Sequence, residues 1–474
     1  MASPQRTYDA IVIGSGPNGL AAAVTLAQAG KRVAVYEAAP VIGGGARSAE
    51  LTLPGFVHDI CSCVHPMALS SPFFRALPLD RFGLRWIQPD APLAHPLDDG
   101  TAVLLVRSLD ESAAQFGADE NSVRALIGPL VNSWDRLAPA ILAPPRIPRA
   151  PLAMARFGWN ALRPAAKLAR SKFKSARARA VFAGMAAHSM LPLEQVLSGA
   201  FGLLLWTTCH SVGWPFAAGG SQSLSNALAD LLRSLGGDIF TDQRVSKLAE
   251  LPPARAILCD VTPRQFLDLA GGSISDRARR SLERYRYGPG VFKVDWALDG
   301  PVPWHAPECA RAGTVHIGGT LEEIAASERA PSQGKPAEHP FVLFAQPSLF
   351  DSSRAPAGKH TAWAYCHVPN GSGIDMLERI ERQVERFAGG FKKRILARSV
   401  MAPAAMEKYN ANLIGGDISG GSVELSQFFF RPTAKLYSTV LPGAFLCSSA
   451  APPGPGVHGM CGYFAAQRAL WRRF

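Results

Sequence analysis

The clearest hydrophobic pattern in the chain lies in residues 8–37. A continuous apolar run, Ala10 to Ile13, has strand length, and a stretch of small and apolar residues after Gly19 has helix length. A second apolar run, Val33 to Tyr36, ends on Glu37. Between the first run and the helix stands Gly14-Ser-Gly-Pro-Asn-Gly19. The pattern predicts a strand, a glycine turn, a helix, a strand and an acidic tip in register.

Beyond residue 50, prolines at 66, 72 and 78 predict loops and short helices. Residues 110–235 read mostly as helices: 111–116, 122–142, a basic stretch, 193–207 and 223–235, the last closed by Gly236-Gly237 as a C-cap. Residues 238–248 predict a short strand pair with Val245 at its heart, and 256–261 a further strand. From Gly290 the character changes. Residues 291–298, 341–346 and 361–368 have strand patterning, followed by a helix over 376–387. A final buried strand over 441–447 leads through a glycine- and proline-rich loop, 452–462, into a last helix over 463–471. No internal repeat is evident. This order predicts an α/β protein of two discontinuous domains: a Rossmann-like domain made of residues 1–75, 215–285 and 430–474, and a domain of mixed sheet plus helices made of 76–214 and 286–429.

With 474 residues and 47% hydrophobic content, the chain can bury two cores. Its net charge of +12 is unevenly spread. Residues 136–193 contain no acid but eleven bases, interleaved with Phe157, Trp159, Leu162, Leu168, Phe173, Val181 and Phe182. No recognised nucleic-acid module accompanies them, so the expectation is no nucleic-acid partner. A cationic stretch rich in aromatics suits an anionic membrane surface, while a solvated helical face is the simpler alternative. No apolar run reaches the ~18 residues needed to span a bilayer. The chain enters its first strand by Tyr8, which leaves no room for a signal segment, so a cytoplasmic location is expected, with peripheral attachment to the inner face of a membrane. The eight cysteines are scattered, with only Cys61 and Cys63 close together, and reduced structural cysteines are expected, with no metal site.

The chemistry begins at the glycine turn. Gly14 allows the tight exit from the strand, Gly16 allows the backbone to approach a diphosphate, and Gly19 allows close helix–sheet packing. Pro17 suits the first helical position, and the helix N-terminus that holds Asn18 presents N–H groups and a positive dipole end to phosphate. Glu37 is placed to accept ribose hydroxyls. Gly43-Gly-Gly-Ala-Arg47 adds further glycines and a fixed cation, an extension that accompanies FAD rather than NAD in two-dinucleotide flavoprotein folds. At the other end of the chain, glycines 454, 456, 459 and 462 make the backbone approachable by a flat ligand, and the helix that follows would stabilise negative charge on a reduced flavin ring.

Together with the turn through Arg47, the segments HSVGWPFAAGGS at 210–221, HIGGTLEE at 316–323, QPS at 346–348, WAYCHVP at 363–369, GGDISGG at 415–421 and PGPGVHGM at 453–460 resemble the carotenoid (phytoene) desaturase and isomerase type of FAD oxidoreductases, most closely the branch called pyridine nucleotide-disulfide oxidoreductase domain-containing protein 2. The resemblance covers nearly the whole chain. It implies FAD held by Gly14, Gly16, Gly19, Glu37, Gly44 and Arg47, by the backbone of Val245, and by His458, Gly459 and Met460 beside the ring, under a mixed sheet and an apolar tunnel. Two departures stand out. A disulfide oxidoreductase needs a paired-cysteine site and a second nucleotide fingerprint, which this sequence does not show. Where carotenoid desaturases usually carry a glycine or an acid after the last strand, this chain has Ser448-Ser-Ala-Ala451.

The activity expected is that of an FAD-dependent dehydrogenase, desaturase or isomerase on an apolar isoprenoid or lipid-like substrate, with hydride passing to flavin N5 and electrons leaving to oxygen or a quinone. Two alternatives remain open: a flavin-containing scaffold that docks a partner through its basic region, and an amine-oxidase-like flavoenzyme. His210, Trp214 and His458 are the candidates for lining the reacting end, ahead of His58, His65 and His316.

Overall fold

The computed structural model describes residues 7–474. The first strands in chain order are β1 (Ala10–Ile13), β2 (Val33–Tyr36), β3 (Ser48–Glu50), β4 (Val57–Asp59), β5 (Trp86–Ile87), β6 (Ala91–Pro96), β7 (Ala102–Leu105) and β8 (Phe216–Ala217). They are followed by β9 (Asp238–Phe240), β10 (Ala256–Cys259), β11 (Gly290–Leu298), β12 (Ala312–Ile317), β13 (Val342–Ala345), β14 (His360–Val368), β15 (Ile395–Met401) and β16 (Ala444–Leu446).

One sheet is parallel throughout, in the order β16-β10-β1-β2-β9. Strands β1, β2, β10 and β16 are continuous apolar runs because both faces are covered, while the edge strand β9 is partly exposed. Ala10, Val12, Val33, Val35, Leu258 and Phe445 face one core with helix α1 (Pro17–Gln28), while Ile13, Cys259 and Leu446 face another with Phe266 and Leu269. Helix α1 also packs on the last helix (Met460–Arg473), so closely that a Cβ on Gly462 would lie 1.8 Å from the carbonyl oxygen of Asn18. The two ends of the chain therefore meet at the turn after β1.

The second sheet is mixed, in the order β15-β11-β14-β13-β12-β6-β7, and only β12 and β6 run parallel. Side-chain alternation gives it two unlike faces. Trp296, Phe344, Val315 and Cys366 pack into an apolar core with Ile380, Val384 and Phe387. On the other face the pairing sets His316 beside Leu343, Leu343 beside Tyr365 and Tyr365 beside Lys293, with Thr314, Ala345, Trp363 and Asp295 in the adjacent row.

After the short helices α2 (Pro66–Ser70) and α3 (Pro72–Arg75), a helical layer covers part of that second face: α4 (Leu109–Ala114), α5 (Glu120–Val131), α6 (Trp134–Ile141), α7 (Pro151–Ala161), α8 (Ala165–Lys172), α9 (Ala176–Ala187) and α10 (Ser198–Ser211). Helix α11 (Gln222–Ser234) returns the chain to the parallel sheet.

Several elements differ from the sequence expectation. The single helix expected over 122–142 is two, broken at Asn132 and Ser133 between prolines 129 and 139. The helix expected from 193 begins at Ser198, after a turn in which Leu197 has φ 72°. The strand pair expected over 238–248 is one strand, β9, beyond which the backbone runs along the Glu37 tip, Asp242 N donating to Ala39 O and Gln243 N to Glu37 O. The β6–β7 hairpin has no counterpart in the sequence reading, since Pro92 and Pro96 obscure its strand pattern.

Candidate functional site

The site is built from the turn that leaves β1. Gly14 has φ +97°, and its N–H donates to Tyr36 O at 2.8 Å, so the turn is folded onto the second strand. At Gly19 a Cβ would lie 2.1 Å from Gly14 O, which fixes the residue as glycine by close approach alone. Gly16 precedes α1 as its N-cap, with Pro17 at the first helical position, and neither supplies a side-chain hydrogen bond to the helix end. The free donors there meet an unforeseen partner: Gly19 N donates to Asp260 Oδ2 at 2.9 Å. Burial pushes the Asp260 carboxyl up to about 7, and the nearby Glu37 charge adds to this. Asn18 Oδ1 is buried with no partner among the described residues.

Glu37 organises the tip of β2. One of its oxygens accepts from Ser15 N at 2.9 Å and Ser15 Oγ at 2.5 Å, and the other accepts from Ala39 N at 2.9 Å and Arg47 Nη2 at 3.3 Å. Arg47 also donates from Nε to Ile42 O and lies 5.4 Å from the Tyr409 ring centroid. It is thus paired with Glu37 within the cradle, where the sequence reading had it as a cation for phosphate. Gly44 touches the first turn, since a Cβ there would lie 3.0 Å from Gly16 Cα.

A single cavity of about 870 Å³ runs from this cradle to the second sheet. Gly14, Gly16, Pro17, Asn18, Glu37, Gly44, Arg47 and Val245 line one end. Phe201, Leu204, Trp214, Leu343, Trp363 and Tyr365 line the other. The segment from Cys61 to Met67, the loop at Gly456 and Val457, and Ser448-Ser449 lie along its course. A long pocket with an anion-binding glycine turn at one end and an apolar chamber at the other fits an adenine dinucleotide carrying a flat ring. The residues present fit FAD. Its diphosphate would lie at the start of α1, its ribose near Glu37, and its ring between Met67 and the Gly456-Val457 loop.

The candidate side chains fall into two groups. Trp214 lines the chamber and donates from Nε1 to Thr208 Oγ1 at 2.9 Å. The rings of His210 and His458 do not line it. His210 uses Nδ1 to donate to Val106 O at 2.9 Å, and burial lowers its pKa to about 4. His458 is fully buried: its Nδ1 accepts from Met460 N at 3.0 Å, and its Nε2 donates to Gly454 O at 3.2 Å. It shapes the entry to the last helix, where Gly459 has φ +67° and Met460 is buried, while the neighbouring Gly456 and Val457 reach the cavity. Neither ring faces the cavity: His458 spends both nitrogens on backbone, while His210 spends Nδ1 and keeps a buried Nε2 with no partner among the described residues. His65 does line the cavity, with Nε2 on Ser221 Oγ at 2.9 Å.

Behind the Cys61–His65 segment lies a buried charge network that the sequence did not disclose. Arg354 pairs with Asp59 at 2.6 Å, both fully buried, and also holds Val57 O. Lys293 pairs with Asp295, and His58 Nδ1 lies 3.5 Å from the same carboxyl. Burial raises Asp295 to about 6 against the pull of Lys293, and burial lowers His58 to about 3. These groups clamp β4 onto β11 and β14 and so fix the wall of the cavity. Cys61, which lines the cavity, has its thiol pushed up to about 11 by burial and is therefore uncharged. No group of three or more potential metal ligands occurs among the described residues.

Comparison with known proteins agrees with this geometry. Residues 12–75 match the model of an NAD(P)-binding Rossmann-like domain. The chain is 27% identical to pyridine nucleotide-disulfide oxidoreductase domain-containing protein 2 of Mus musculus, across 97% of this chain and 92% of that protein. It is 26% identical to phytoene dehydrogenase of Streptomyces griseus, across 76% and 73%. Among solved structures, an oxidoreductase from Methanosarcina mazei superposes with a TM-score of 0.67 at 15% identity, covering 98% of this chain and 99% of that one. Putrescine oxidase bound to putrescine superposes with a TM-score of 0.63 at 19% identity, covering 99% and 100%. The chain is thus similar to pyridine nucleotide-disulfide oxidoreductase domain-containing protein 2 over nearly its whole length and to a phytoene dehydrogenase over three quarters of it, and it shares its fold with solved oxidoreductases.

Proposed function

We propose that this protein is an FAD-dependent dehydrogenase, desaturase or isomerase acting on an apolar, isoprenoid or lipid-like substrate. The observation that carries the reading is the continuity of one cavity from the glycine cradle to a chamber walled by Phe201, Leu204, Leu343, Trp363 and Tyr365. Bound FAD supplies hydride acceptance, with reoxidation by oxygen or a quinone. The chain's share is to exclude water, orient a C–H bond toward the ring and hold the Cys61–His65 wall rigid through the Arg354–Asp59 pair. Homology to phytoene dehydrogenases supports an apolar substrate. Anaerobic incubation of the FAD-loaded protein with a panel of isoprenoids and fatty acyl chains tests it. Bleaching of the oxidised flavin band by at least one of them, or conversion of one to an isomer seen by chromatography, is expected, and neither with any of them, with reduction by dithionite intact, contradicts it.

We further propose that helix α7 docks on an anionic lipid surface. Leu152 is 87% exposed and Trp159 77%, on the same outward side, and Ile147 in the preceding loop is 93% exposed. Arg149 and Arg156 alternate with them along the chain, and Lys167 and Lys172 follow on α8, in a stretch without acids. Each base near such a surface contributes about 1 kcal/mol before screening. No helix among the described residues is long and apolar enough to cross a membrane.

A further inference from the structure

Besides the unpartnered Nε1 of Trp363 in its wall, the apolar chamber has a polar corner where two histidines meet. His188 caps the end of α9 and lines the cavity, and its Nε2 lies 2.9 Å from His316 Nε2. The two rings pack with Trp214 and Phe341. His316 is fully buried, and its Nδ1 has no polar partner. That nitrogen faces Gly184 of α9, where an added Cβ would lie only 2.8 Å away.

These contacts decide the tautomers. A proton on His316 Nδ1 would be a buried N–H pressed against a glycine Cα with no acceptor, and such orphaned donors are costly. The proton therefore sits on Nε2 and is donated to His188 Nε2, which leaves His188 with its own proton on Nδ1. Nothing in the described chain accepts from that Nδ1–H, and the side chain that bears it forms part of the cavity wall. Burial holds His188 neutral, its pKa lowered to about 3, with a small contribution from the nearby His367, itself bonded to Glu328. Two residues before His316 on the same face of β12, Thr314 also lines the cavity, and its buried hydroxyl is unpartnered.

An apolar chamber that keeps an unused N–H and an unused hydroxyl is incomplete without an oxygen atom to satisfy them. We infer that the substrate is not a pure hydrocarbon but an apolar chain bearing a neutral oxygen function, a hydroxyl or a carbonyl, which His188 Nδ1–H and the Thr314 hydroxyl hold at the chamber end. The inference rests on the apolar-substrate reading above and narrows it. A carboxylate suits the corner poorly. The cations lining the cavity, Arg47, Arg244 and Lys408, belong to the cradle end beside Glu37, Val245 and Gly44, and a charge buried at the far end would lack a counter-ion.

Titration of the FAD-loaded protein with geranylgeraniol, phytane and geranylgeranoic acid, read through perturbation of the flavin spectrum, tests the assignment. The alcohol is expected to bind about tenfold tighter than either the hydrocarbon or the acid. His188→Phe, which keeps an aromatic ring against Trp214, is expected to load FAD normally, bind phytane as the wild type does and lose the preference for the alcohol. In wild-type protein labelled with ¹⁵N-histidine, geranylgeraniol is expected to shift a protonated Nδ1 resonance that phytane leaves in place. That measurement stands even if the variant fails to fold. Equal binding of alcohol and hydrocarbon, or an undiminished preference in His188→Phe, overturns the inference alone. Binding of none of the three overturns the apolar-substrate reading and the inference with it.

Discussion

The two ends of the cavity are built on opposite principles. At the cradle the shape lies in the backbone: Gly14, Gly16, Gly19 and Gly44 bring main chain close, and the N-terminus of α1 opens on the cavity. At the chamber, function lies in side chains delivered by elements far apart in sequence: His188 from α9, Leu204 from α10, Thr314 from β12 and Trp363 from β14. Most of the cradle comes from one stretch, Gly14 to Arg47, joined by Val245 and Asp260, and its glycines tolerate almost no added atom. The chamber is assembled by topology and depends on how buried charges hold its walls. The lesson is that the cradle is shaped by what is missing from a few side chains, whereas the chamber is marked by the rare polar atoms left over in an apolar wall.

This contrast predicts distinct ways of breaking each end. The largest effect is expected at the seam between the chain termini. Gly462→Val places new atoms on Asn18 O, where even a Cβ would sit at 1.8 Å, so α1 and the last helix must separate. A loss of about 4 kcal/mol or more, with loss of FAD, is expected in chemical denaturation.

Next comes the chamber wall. Arg354→Ala leaves Asp59 buried and unpaired, and a loss of about 3–5 kcal/mol is expected. Adding Asp59→Leu should recover part of it, because an apolar pair replaces the stranded charge.

A smaller effect sharpens the comparison through pH. The Asp260 carboxyl titrates at about 7 in the folded chain against an ordinary 3.8, so the folded state binds its proton more tightly than the unfolded state. Its favourable share of stability is complete below about pH 4, declines as pH rises toward 7 and is gone above that, at roughly 1.4 kcal/mol for each pKa unit. Asp260→Asn in FAD-free protein should flatten this slope. An unaltered slope between pH 4 and pH 7 would show that Asp260 is not the group responsible.

The smallest effect on stability is expected at α7. Leu152→Ser with Trp159→Ser should change stability by less than about 0.5 kcal/mol, since both side chains are exposed. Binding to anionic vesicles in co-sedimentation should fall markedly. Unchanged binding would assign no lipid role to this helix.

How much of this was legible in the sequence follows from the same contrast. The cradle was readable from Gly14 to Glu37 because its chemistry needs glycines at fixed spacing, and the parallel sheet was readable in β1, β2 and β10 because strands covered on both faces are uninterrupted apolar runs. Asp260 was not readable, since the end of an apolar strand gives no sign of the helix terminus it meets 241 residues away in sequence. Nor was the clamp. Lys293 and Asp295 stand at alternate positions of β11 and so share a face, but a lysine and an aspartate within a strand ordinarily mark a solvated face, whereas here that face is buried against His58, Asp59 and Arg354. His210 and His458 attracted notice by their place beside glycine-rich motifs, yet neither ring lines the cavity: His458 spends both nitrogens on backbone and His210 spends its Nδ1 there. His188 lay in a stretch whose bases drew attention to its surface. Its significance depends on β12 bringing His316 to it from 128 residues away.

The most direct test of the account is native mass spectrometry of the purified chain, with its visible spectrum, before and after incubation with excess FAD. One FAD per polypeptide and a flavin spectrum are expected. Folded protein that stays colourless and takes up no FAD at saturation would contradict the claim that the two termini close around a flavin.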